Sequence, residues 1–304
     1  MIEAKLYQKL EGKKINPHTK NFGEGVKCSI CNHHCLILPD KTGICGVRLN
    51  QGGKLYSLVY GRPISVNIDP IEKKPLYHFM PDTSTLSFGT FGCNFRCGWC
   101  QNFEISQSNK SDLNIIEKLS LKVTPQKMVA MANKEKCPSI SYTYTEPTIF
   151  FEYALDTMKL AHKSGLKNIW VSNGYFSEEC FKKIEPYLDA INIDLKSFDN
   201  KIYQKYCGAK LQPVLDNLER IKKAQHIHLE ITTLIIPGIN DDGKQLNQIA
   251  EFIASLGKNT PWHLSRFFPC YKMTDIPSTP VSTLKKAQEI GQKAGLKYIY
   301  LGNI

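Results

Sequence analysis

The sequence lacks the features that would direct a protein into or across a membrane. None of its apolar runs approaches the roughly 20 residues that a membrane-spanning helix needs. Its first residues, MIEAKLYQKLEGKK, carry charges where a signal peptide would have its apolar region. Low-complexity linkers and internal repeats are also missing. We therefore expect a globular protein that stays in the cytoplasm and has no membrane partner.

Several common catalytic motifs are absent as well. Gly257-Lys258-Asn259-Thr260 has no glycine five positions upstream of Gly257, so it does not form a phosphate-binding loop. The sequence has neither the HExxH helix of a zinc protease nor the G-x-S-x-G turn of a serine hydrolase. Acyl transfer by an activated serine is therefore not expected.

Acidic residues are fewer than basic ones. The chain has 28 Asp and Glu against 39 Lys and Arg, which gives a formal net charge of +11. The lysines are spread along the chain, and no stretch interleaves basic and aromatic residues as a single-strand platform would. A solvated basic surface is the favoured interpretation, and binding of nucleic acid or of an acidic protein is the second one.

Strand-like and helix-like segments alternate from about residue 85 onward. The predicted strands are 85–90, 139–145, 167–173, 190–196, 226–236, 261–268 and 297–302. The predicted helices are 124–134, 147–164, 177–188, 213–224, 244–256 and 281–294. This alternation predicts an α/β fold with a parallel (β/α) barrel, partial or full. Residues 1–80 are rich in glycine, proline and cysteine, so we predict a small Cys-rich N-terminal region there and the barrel core at 81–304.

Cysteine is abundant and unevenly placed. Of the 11 cysteines, seven form two groups, which we call the N-terminal thiols (Cys28, Cys31, Cys35 and Cys45) and the loop thiols (Cys93, Cys97 and Cys100). The other four, expected to be buried structural thiols, are Cys137, Cys180, Cys207 and Cys270. Disulfides are rare in a reducing compartment, so grouped cysteines there indicate metal or redox chemistry first.

The spacing of the loop thiols, Cys93-x3-Cys97-x2-Cys100, allows three interpretations. A thioredoxin-like Cys97/Cys100 pair would leave Cys93 without a role. Half of a zinc site, completed by a pair such as Cys28/Cys31, would again leave thiols over. An iron–sulfur cubane uses all three thiolates and leaves its fourth iron open to a small ligand. We favour the cluster, because the three cysteines follow the first predicted barrel strand on a glycine-bearing loop.

The CxxxCxxC spacing, with Trp99 before its last cysteine, resembles the signature of the radical S-adenosylmethionine (SAM) superfamily. Further blocks resemble the radical SAM enzymes of the AmmeMemoRadiSam system, which are relatives of the pyruvate formate-lyase activating enzymes. These blocks are CxxCxxxC…GxCGVR, IDPIEKKPLYHF, GCNFRCGWCQNFEISQ, TYTEPT, VSNGY, DLKSF, LIIPGIND and RFFP. The resemblance covers residues 26–302. Members of that group tend to continue into a tail with a CPxCG-type element, whereas this sequence ends at Ile304.

The resemblance implies a [4Fe-4S] cluster on Cys93, Cys97 and Cys100, with SAM bound at the open iron. Reduction of the cluster by one electron would cleave SAM to methionine and a 5′-deoxyadenosyl radical, which would then abstract hydrogen from a substrate. Soft, anionic thiolates suit such a cluster. The resemblance also implies a one-electron reductant such as flavodoxin or ferredoxin, and Memo-like and AMMECR-type partner proteins.

Five residues at predicted strand ends are candidates for binding SAM. Glu146 matches the Glu-Pro pair of the family's Gly-Gly-Glu-Pro element, although a helix start would also explain it. Ser172 and Asn173 could reach the cofactor's carboxylate or ribose, or simply form a loop. Asp194 and Lys196 resemble the D-x-K element that contacts the cofactor, and a plain ion pair is the alternative.

The N-terminal thiols are predicted to form a second metal site. Four thiols within eighteen residues suit a closed structural zinc site that would order a segment too short for its own core. A second cubane with four thiolate ligands is the alternative. The sequence spacing does not decide between zinc and iron.

These features predict a radical SAM enzyme of the pyruvate formate-lyase activating enzyme type, an oxidoreductase. An RNA-modifying radical SAM enzyme and a non-catalytic metal-binding scaffold are the alternatives. The substrate does not follow from the sequence.

Overall fold

The computed structural model describes residues 1–10, 25–107 and 113–304. The first strands are β1 (Ile2–Glu3), β2 (Tyr7–Lys9), β3 (Val26–Cys28), β4 (Leu36–Ile37), β5 (Arg48–Gln51) and β6 (Lys54–Ser57). They form two three-stranded sheets, in the orders β1-β6-β5 and β2-β3-β4. These small sheets, together with the N-terminal thiols, make up the predicted Cys-rich region.

The main sheet has eight strands in the order β14-β13-β12-β11-β10-β9-β8-β7, with the following bounds: β7 (Ser65–Pro70), β8 (Ser84–Gly89), β9 (Ser139–Tyr142), β10 (Lys167–Ser172), β11 (Ala190–Asp194), β12 (His228–Ile235), β13 (Trp262–Arg266) and β14 (Ile299–Gly302). Strands β8 to β14 run parallel, each beside the next along the chain. Strands β9 and β12 are buried over almost their whole length, which is typical of a sheet covered on both faces. The predicted parallel α/β architecture is confirmed.

Helices connect the parallel strands. They are α1 (Phe103–Ser106), α2 (Leu113–Leu119), α3 (Pro125–Lys134), α4 (Phe151–Lys163), α5 (Glu178–Ile184), α6 (Asn200–Ile202), α7 (Gln212–Lys223), α8 (Gly243–Leu256) and α9 (Val281–Lys293). Thr124 is the N-cap of α3 and Asp242 is the N-cap of α8, because each side chain accepts a hydrogen bond from the amide three residues further along the chain. The short α1, α2 and α6 were not predicted. No helix in the described part of the chain is long and apolar enough to span a membrane.

The sheet is an open barrel. Strand β7 pairs antiparallel with β8, and β7 and β14 are the two edges, with no pairing between them in the described residues. The fold is thus the partial form of the predicted barrel. Because β7 lies within residues 1–80, the sheet extends across the predicted boundary at residue 80, and that division of domains stays a prediction.

Residues 71–79, which we call the floor segment, lie across the end of the sheet at which the parallel strands begin. The backbone amides of Tyr77 and His78 donate to the carboxylate of Glu230 on β12, at 3.1 and 2.8 Å. The same carboxylate accepts a hydrogen bond from Nε2 of His263 on β13, at 2.6 Å. The floor segment is therefore fixed to strands on the far side of the sheet.

A buried ion pair fixes the N-terminal region to the barrel. Arg48 on β5 makes two hydrogen bonds with the Glu152 carboxylate on α4, at 2.9 and 2.8 Å. Both residues are fully buried, and the amide of Lys5 also donates to Glu152, at 2.7 Å. A bidentate pair of this kind fixes orientation as well as distance, so the small sheets have a defined position against α4.

Candidate functional site

A cavity of about 650 Å³ lies inside the barrel, above the floor segment. Its wall includes residues at the carboxyl ends of β9, β10 and β11, where parallel α/β folds bind ligands. The loop that follows β8, residues 90–102, forms another part of the wall. The cavity is therefore the place where the predicted site residues can meet.

All three loop thiols line this cavity. Cys97 is buried, and Cys93 and Cys100 are half-buried. The Sγ of Cys100 lies 3.1 Å from Oγ of Ser106, and the amide of Phe95 donates to Sγ of Cys93 at 3.4 Å. Three soft sulfur donors at one end of a ligand-sized cavity suit an iron–sulfur cluster with one open iron.

Burial raises the pKa of Cys100 above the ordinary thiol value. The pKa of Cys97 is raised as well, first by contact with the thiol of Cys207 and then by burial. A thiol with a raised pKa binds metal only by giving up its proton as the metal enters. Metal loading at this loop should therefore release protons.

Two of the single cysteines lie beside the loop thiols, which the sequence spacing did not indicate. Cys207 is fully buried against Cys97, as described above. Cys270 is half-buried, and its Sγ lies 3.5 Å from the carbonyl oxygen of Cys100. The expectation of burial thus holds for Cys207 and not for Cys270. Both contacts join segments more than a hundred residues apart, so no local pattern could have revealed them.

Glu146 lies behind the cavity wall. It is fully buried, and its Oε1 accepts hydrogen bonds from the amide and hydroxyl of Thr148 and from the hydroxyl of Ser172. Its Oε2 accepts the amide of Asn173 at 2.8 Å. Burial raises the pKa of Glu146, and these hydrogen bonds oppose that rise. The carboxylate is thus turned toward the protein, as the helix-start interpretation predicted, and it is not among the groups that line the cavity.

Ser172 and Asn173 do line the cavity. The side-chain amide of Asn173 donates to Oδ1 of Asn94 at 2.8 Å, and Asn94 is next to Cys93 in the chain. The end of β10 is therefore hydrogen-bonded directly to the cysteine loop. Their roles as cofactor ligands stay predictions.

Asp194 and Lys196 also line the cavity, at the end of β11. The Nζ of Lys196 lies 2.9 Å from Oδ2 of Asp194, and the lysine side chain is 13% exposed. Burial would lower the pKa of Lys196, but the charge of Asp194 reverses this and keeps the lysine protonated. A neighbouring cation and anion can bind the carboxylate and the ammonium group of an amino acid.

The N-terminal thiols are packed close together on the outer side of the cysteine loop. Cys28, Cys31 and Cys45 are buried and Cys35 is half-buried. Burial raises the pKa of Cys31 well above the ordinary thiol value, and the charges of the other three thiols add to this rise. The amide of Cys28 donates to the carbonyl oxygen of Cys35 at 2.9 Å. Among the described residues, no three His, Cys, Asp or Glu side chains, in this group or among the loop thiols, converge closely enough to hold a single metal ion.

The two groups of thiols are in contact through the backbone. A Cβ placed on Gly92 would lie 2.7 Å from the carbonyl oxygen of Cys45, so only glycine permits this approach. Nε2 of His33 lies 2.8 Å from the carbonyl oxygen of Asn94. Any metal bound at the N-terminal thiols would thus be a near neighbour of the loop.

Comparisons with known proteins agree with this geometry. The sequence model of the Radical SAM superfamily matches residues 88–253. The chain is similar to an uncharacterized protein of Methanocaldococcus jannaschii, with 43% identity across 100% of this chain and 86% of that protein. It is also similar to the pyruvate formate-lyase-activating enzyme of Staphylococcus epidermidis, with 23% identity across 55% of this chain and 68% of that one.

Among solved structures, the fold is similar to that of a radical SAM methyltransferase from Sphaerobacter thermophilus. The TM-score is 0.57 at 13% identity, across 74% of this chain and 68% of that one. At this identity the similarity concerns the fold alone.

Proposed function

The chain belongs to the radical SAM superfamily, and from this premise we propose that it cleaves SAM reductively at a [4Fe-4S] cluster held by Cys93, Cys97 and Cys100. The observation that supports this most is that these thiols line the same cavity as Asn173, Asp194 and Lys196. Membership in an enzyme superfamily favours catalysis over the non-catalytic scaffold.

A cluster held by these thiols would supply the one electron that reductive cleavage of SAM to methionine and a hydrogen-abstracting radical requires. The protein's part is to bind and orient SAM. Lys196 would hold the methionine carboxylate, and Asp194 would accept hydrogen bonds from the ammonium group or a ribose hydroxyl. Ser172 and Asn173 would complete the polar wall beside the loop thiols.

Glu146 is proposed as a positioning residue. Its carboxylate holds the hydroxyl of Ser172 and the amide of Asn173, so it would fix the end of β10 without touching SAM. This role differs from the direct contact with the cofactor that the family resemblance implies.

We further propose an activating-enzyme type of reaction, in which hydrogen is taken from a protein or a small molecule. A one-electron reductant such as flavodoxin or ferredoxin would reduce the cluster, and Memo-like and AMMECR-type proteins would be partners. The cytoplasm is the proposed location.

The N-terminal thiols are proposed to hold one closed metal centre, zinc or a second [4Fe-4S] cluster. The burial of Cys28, Cys31 and Cys45 supports a closed centre. The contact with the cysteine loop would suit electron entry if the metal is iron.

The test is anaerobic reconstitution with iron and sulfide, reduction with dithionite and incubation with SAM. We expect methionine and 5′-deoxyadenosine in equal amounts from the wild type and from the control Cys137→Ala, whose thiol lies outside both groups. Cys93→Ala, Cys97→Ala and Cys100→Ala should each give neither product. Cleavage that persists in any of these three variants would refute the ligand assignment.

A further inference from the structure

A second group of charged side chains borders the cavity on its floor side: Lys73, Lys74 and Tyr144 line it, and Asp69 of β7 lies behind them. Nζ of Lys74 lies 2.6 Å from Oδ2 of Asp69, and Nζ of Lys73 lies 2.8 Å from Oδ1. The hydroxyl of Tyr144 donates to the same Oδ2 at 2.6 Å. Both lysines belong to the IDPIEKKPLYHF block, for which the proposed function has no use. One carboxylate therefore holds two ammonium groups and a phenol.

Lys74 differs from Lys73 in burial. The Lys74 side chain is 2% exposed, whereas that of Lys73 is 64% exposed. Lysine is almost never fully buried unless it is paired, and removing an ammonium group from water is costly. Asp69 is also buried, and the ring of Tyr144 lies 4.7 Å from Nζ of Lys74. Burial lowers the pKa of Lys74, and the hydrogen bond and charge of Asp69 oppose this change; Asp69 and the ring of Tyr144 thus hold the amino group at the cavity wall.

Lys74 can donate further hydrogen bonds into the cavity that it lines. An ammonium group has three N–H donors, and its hydrogen bond to Asp69 uses one of them. The other acidic residue of this part of the wall, Glu72, accepts the amide of Asp82 at 2.8 Å, on the exposed side. A negatively charged group on the floor side of the cavity could therefore accept a charge-assisted hydrogen bond from the buried ammonium of Lys74.

Lysines held by two different aspartates, Asp194 and Asp69, line the cavity, and SAM needs only one of these groups. The pair Asp194/Lys196 matches the single amino-acid end of SAM, and the pair Asp69/Lys74 stays without a role in binding it. The cavity volume of about 650 Å³ lies within the range of small-molecule sites. Because SAM and the cluster would share this volume, a substrate that enters beside them has to be small.

Resting on the function proposed above, we propose that the substrate is a small anion, with a carboxylate or a phosphate that binds to Lys74. Asp69 and Tyr144 act as positioning residues, since they hold the ammonium group without taking all of its donors. The substrate's anionic end thereby lies on the floor side of the cavity, and its reacting C–H bond points toward SAM.

The test uses a small-molecule cell extract obtained by ultrafiltration and separated on an anion exchanger. Each fraction is added to the reduced, reconstituted enzyme with SAM, and 5′-deoxyadenosine is measured above the rate without extract. We expect stimulation only from fractions that the exchanger retains. Phosphatase treatment then separates the two sources, because it abolishes stimulation by a phosphate and leaves that by a carboxylate. Stimulation found only in fractions that the exchanger does not retain, or only in the macromolecules held back by the ultrafilter, would overturn the proposal.

Variants locate the anion. In Lys74→Met, the amount of the active fraction that gives half-maximal stimulation should rise at least about tenfold, since a charge-assisted hydrogen bond is lost. The control is Lys163→Gln, an exposed lysine at the end of α4 that does not line the cavity, and it should leave this amount unchanged. If Lys74→Met does not incorporate iron, the double variant Asp69→Asn/Lys74→Met removes both buried charges and replaces it. An unchanged half-maximal amount, or a rise in the KM for SAM instead, would contradict the assignment.

The outcomes also separate this proposal from the one on which it rests. If the wild type forms no 5′-deoxyadenosine under any condition, the proposed function is wrong. If it does so, and neutral fractions stimulate it equally in wild type and Lys74→Met, only the anion site is wrong.

Discussion

The loop thiols and the N-terminal thiols offer a metal the same ligand atoms in different surroundings. Cys93, Cys97 and Cys100 line a cavity, whereas the N-terminal thiols do not line it and are mostly buried. A metal centre that acts on a small molecule needs an open coordination position, and a structural centre is closed by protein ligands. The two groups of cysteines therefore differ in whether a small molecule in the cavity can reach them, and not in the type of ligand atom.

The first way to break this comparison is to remove the N-terminal ligands. In Cys28→Ala/Cys31→Ala we expect the loss of one metal centre and protease sensitivity near the N-terminus, because a metal there would cross-link four positions of residues 28–45 and stabilise their folded form. Metal analysis should show a loss of about one zinc or about four irons per chain. Dithionite-driven SAM cleavage should persist.

The same variant distinguishes zinc from iron in function. If the lost metal is iron that relays electrons, cleavage driven by a protein reductant should fail while dithionite still works. If neither metal changes, the N-terminal thiols do not form a metal site.

Breaking the buried ion pair should detach the N-terminal region from α4. Arg48→Met leaves the Glu152 carboxylate buried without its partner, which should lower the free energy of unfolding by about 3–5 kcal/mol. Denaturant unfolding followed by tryptophan fluorescence measures this loss. The exposed pair of Lys182 with Glu178 is the control, and Lys182→Gln should leave stability unchanged. A small effect of Arg48→Met would mean that the pair does not fix the region.

Glu230 of the barrel and Cys45 of the N-terminal region should make stability respond to pH in opposite directions. Burial would raise the pKa of Glu230, but hydrogen bonds from His228, His263 and two amides hold it at about 2. Because this value lies below the ordinary 4.5, Glu230 stabilises the barrel above about pH 4.5. Up to about 3 kcal/mol of stability should disappear as the pH falls toward 2. Glu230→Gln should flatten this acid limb of the stability curve.

The alkaline limb comes from the buried thiols of the metal-free protein, the N-terminal thiols and the loop thiols alike. Burial raises the pKa of Cys45 from 9.0 to about 11, so its contribution is complete below pH 9 and is lost as the pH rises toward 11. Metal loading should abolish this limb, because bound thiolates no longer titrate. Unfolding midpoints across the pH range check both limbs, and an alkaline limb that metal loading leaves unchanged would contradict the site.

The smallest expected effect concerns the contact between the regions. Gly92 has φ +94° and touches the backbone of Cys45, so Gly92→Ala should cost about 1–3 kcal/mol. It should also lower metal content at both groups of thiols. Gly165→Ala is the control, because Gly165 has φ +76° and no atom within 4 Å of an added Cβ. Equal effects of both substitutions would show that backbone strain alone acts and that the contact is unimportant.

Much of the fold could be predicted from the sequence because its signals are local. The apolar runs that become β10 and β12 are bounded by polar or turn residues, and the helices between them have regular apolar spacing. The grouping of the loop thiols at the cavity could be predicted for the same reason, since their spacing lies within eight residues; their role as cluster ligands stays a prediction.

What the sequence could not predict depends on the direction of side chains and on distant contacts. Glu146 was placed at the correct strand end, but a sequence does not show that its carboxylate turns toward Ser172 and away from the cavity. The cluster of Asp69, Lys74 and Tyr144 joins residues up to 75 positions apart, and sequence reasoning missed it. An acidic residue followed by two lysines in the IDPIEKK block was the only local signal.

Electron paramagnetic resonance of the reduced, reconstituted protein with and without SAM tests the central claim most directly. We expect the signal of a reduced [4Fe-4S] cluster that changes when SAM is added, both in the wild type and in Cys28→Ala/Cys31→Ala. In Cys97→Ala that SAM-dependent signal should be missing. A signal that ignores SAM, or a SAM-dependent change that survives in Cys97→Ala and disappears in the N-terminal variant, would contradict the assignment of the open cluster to the loop thiols.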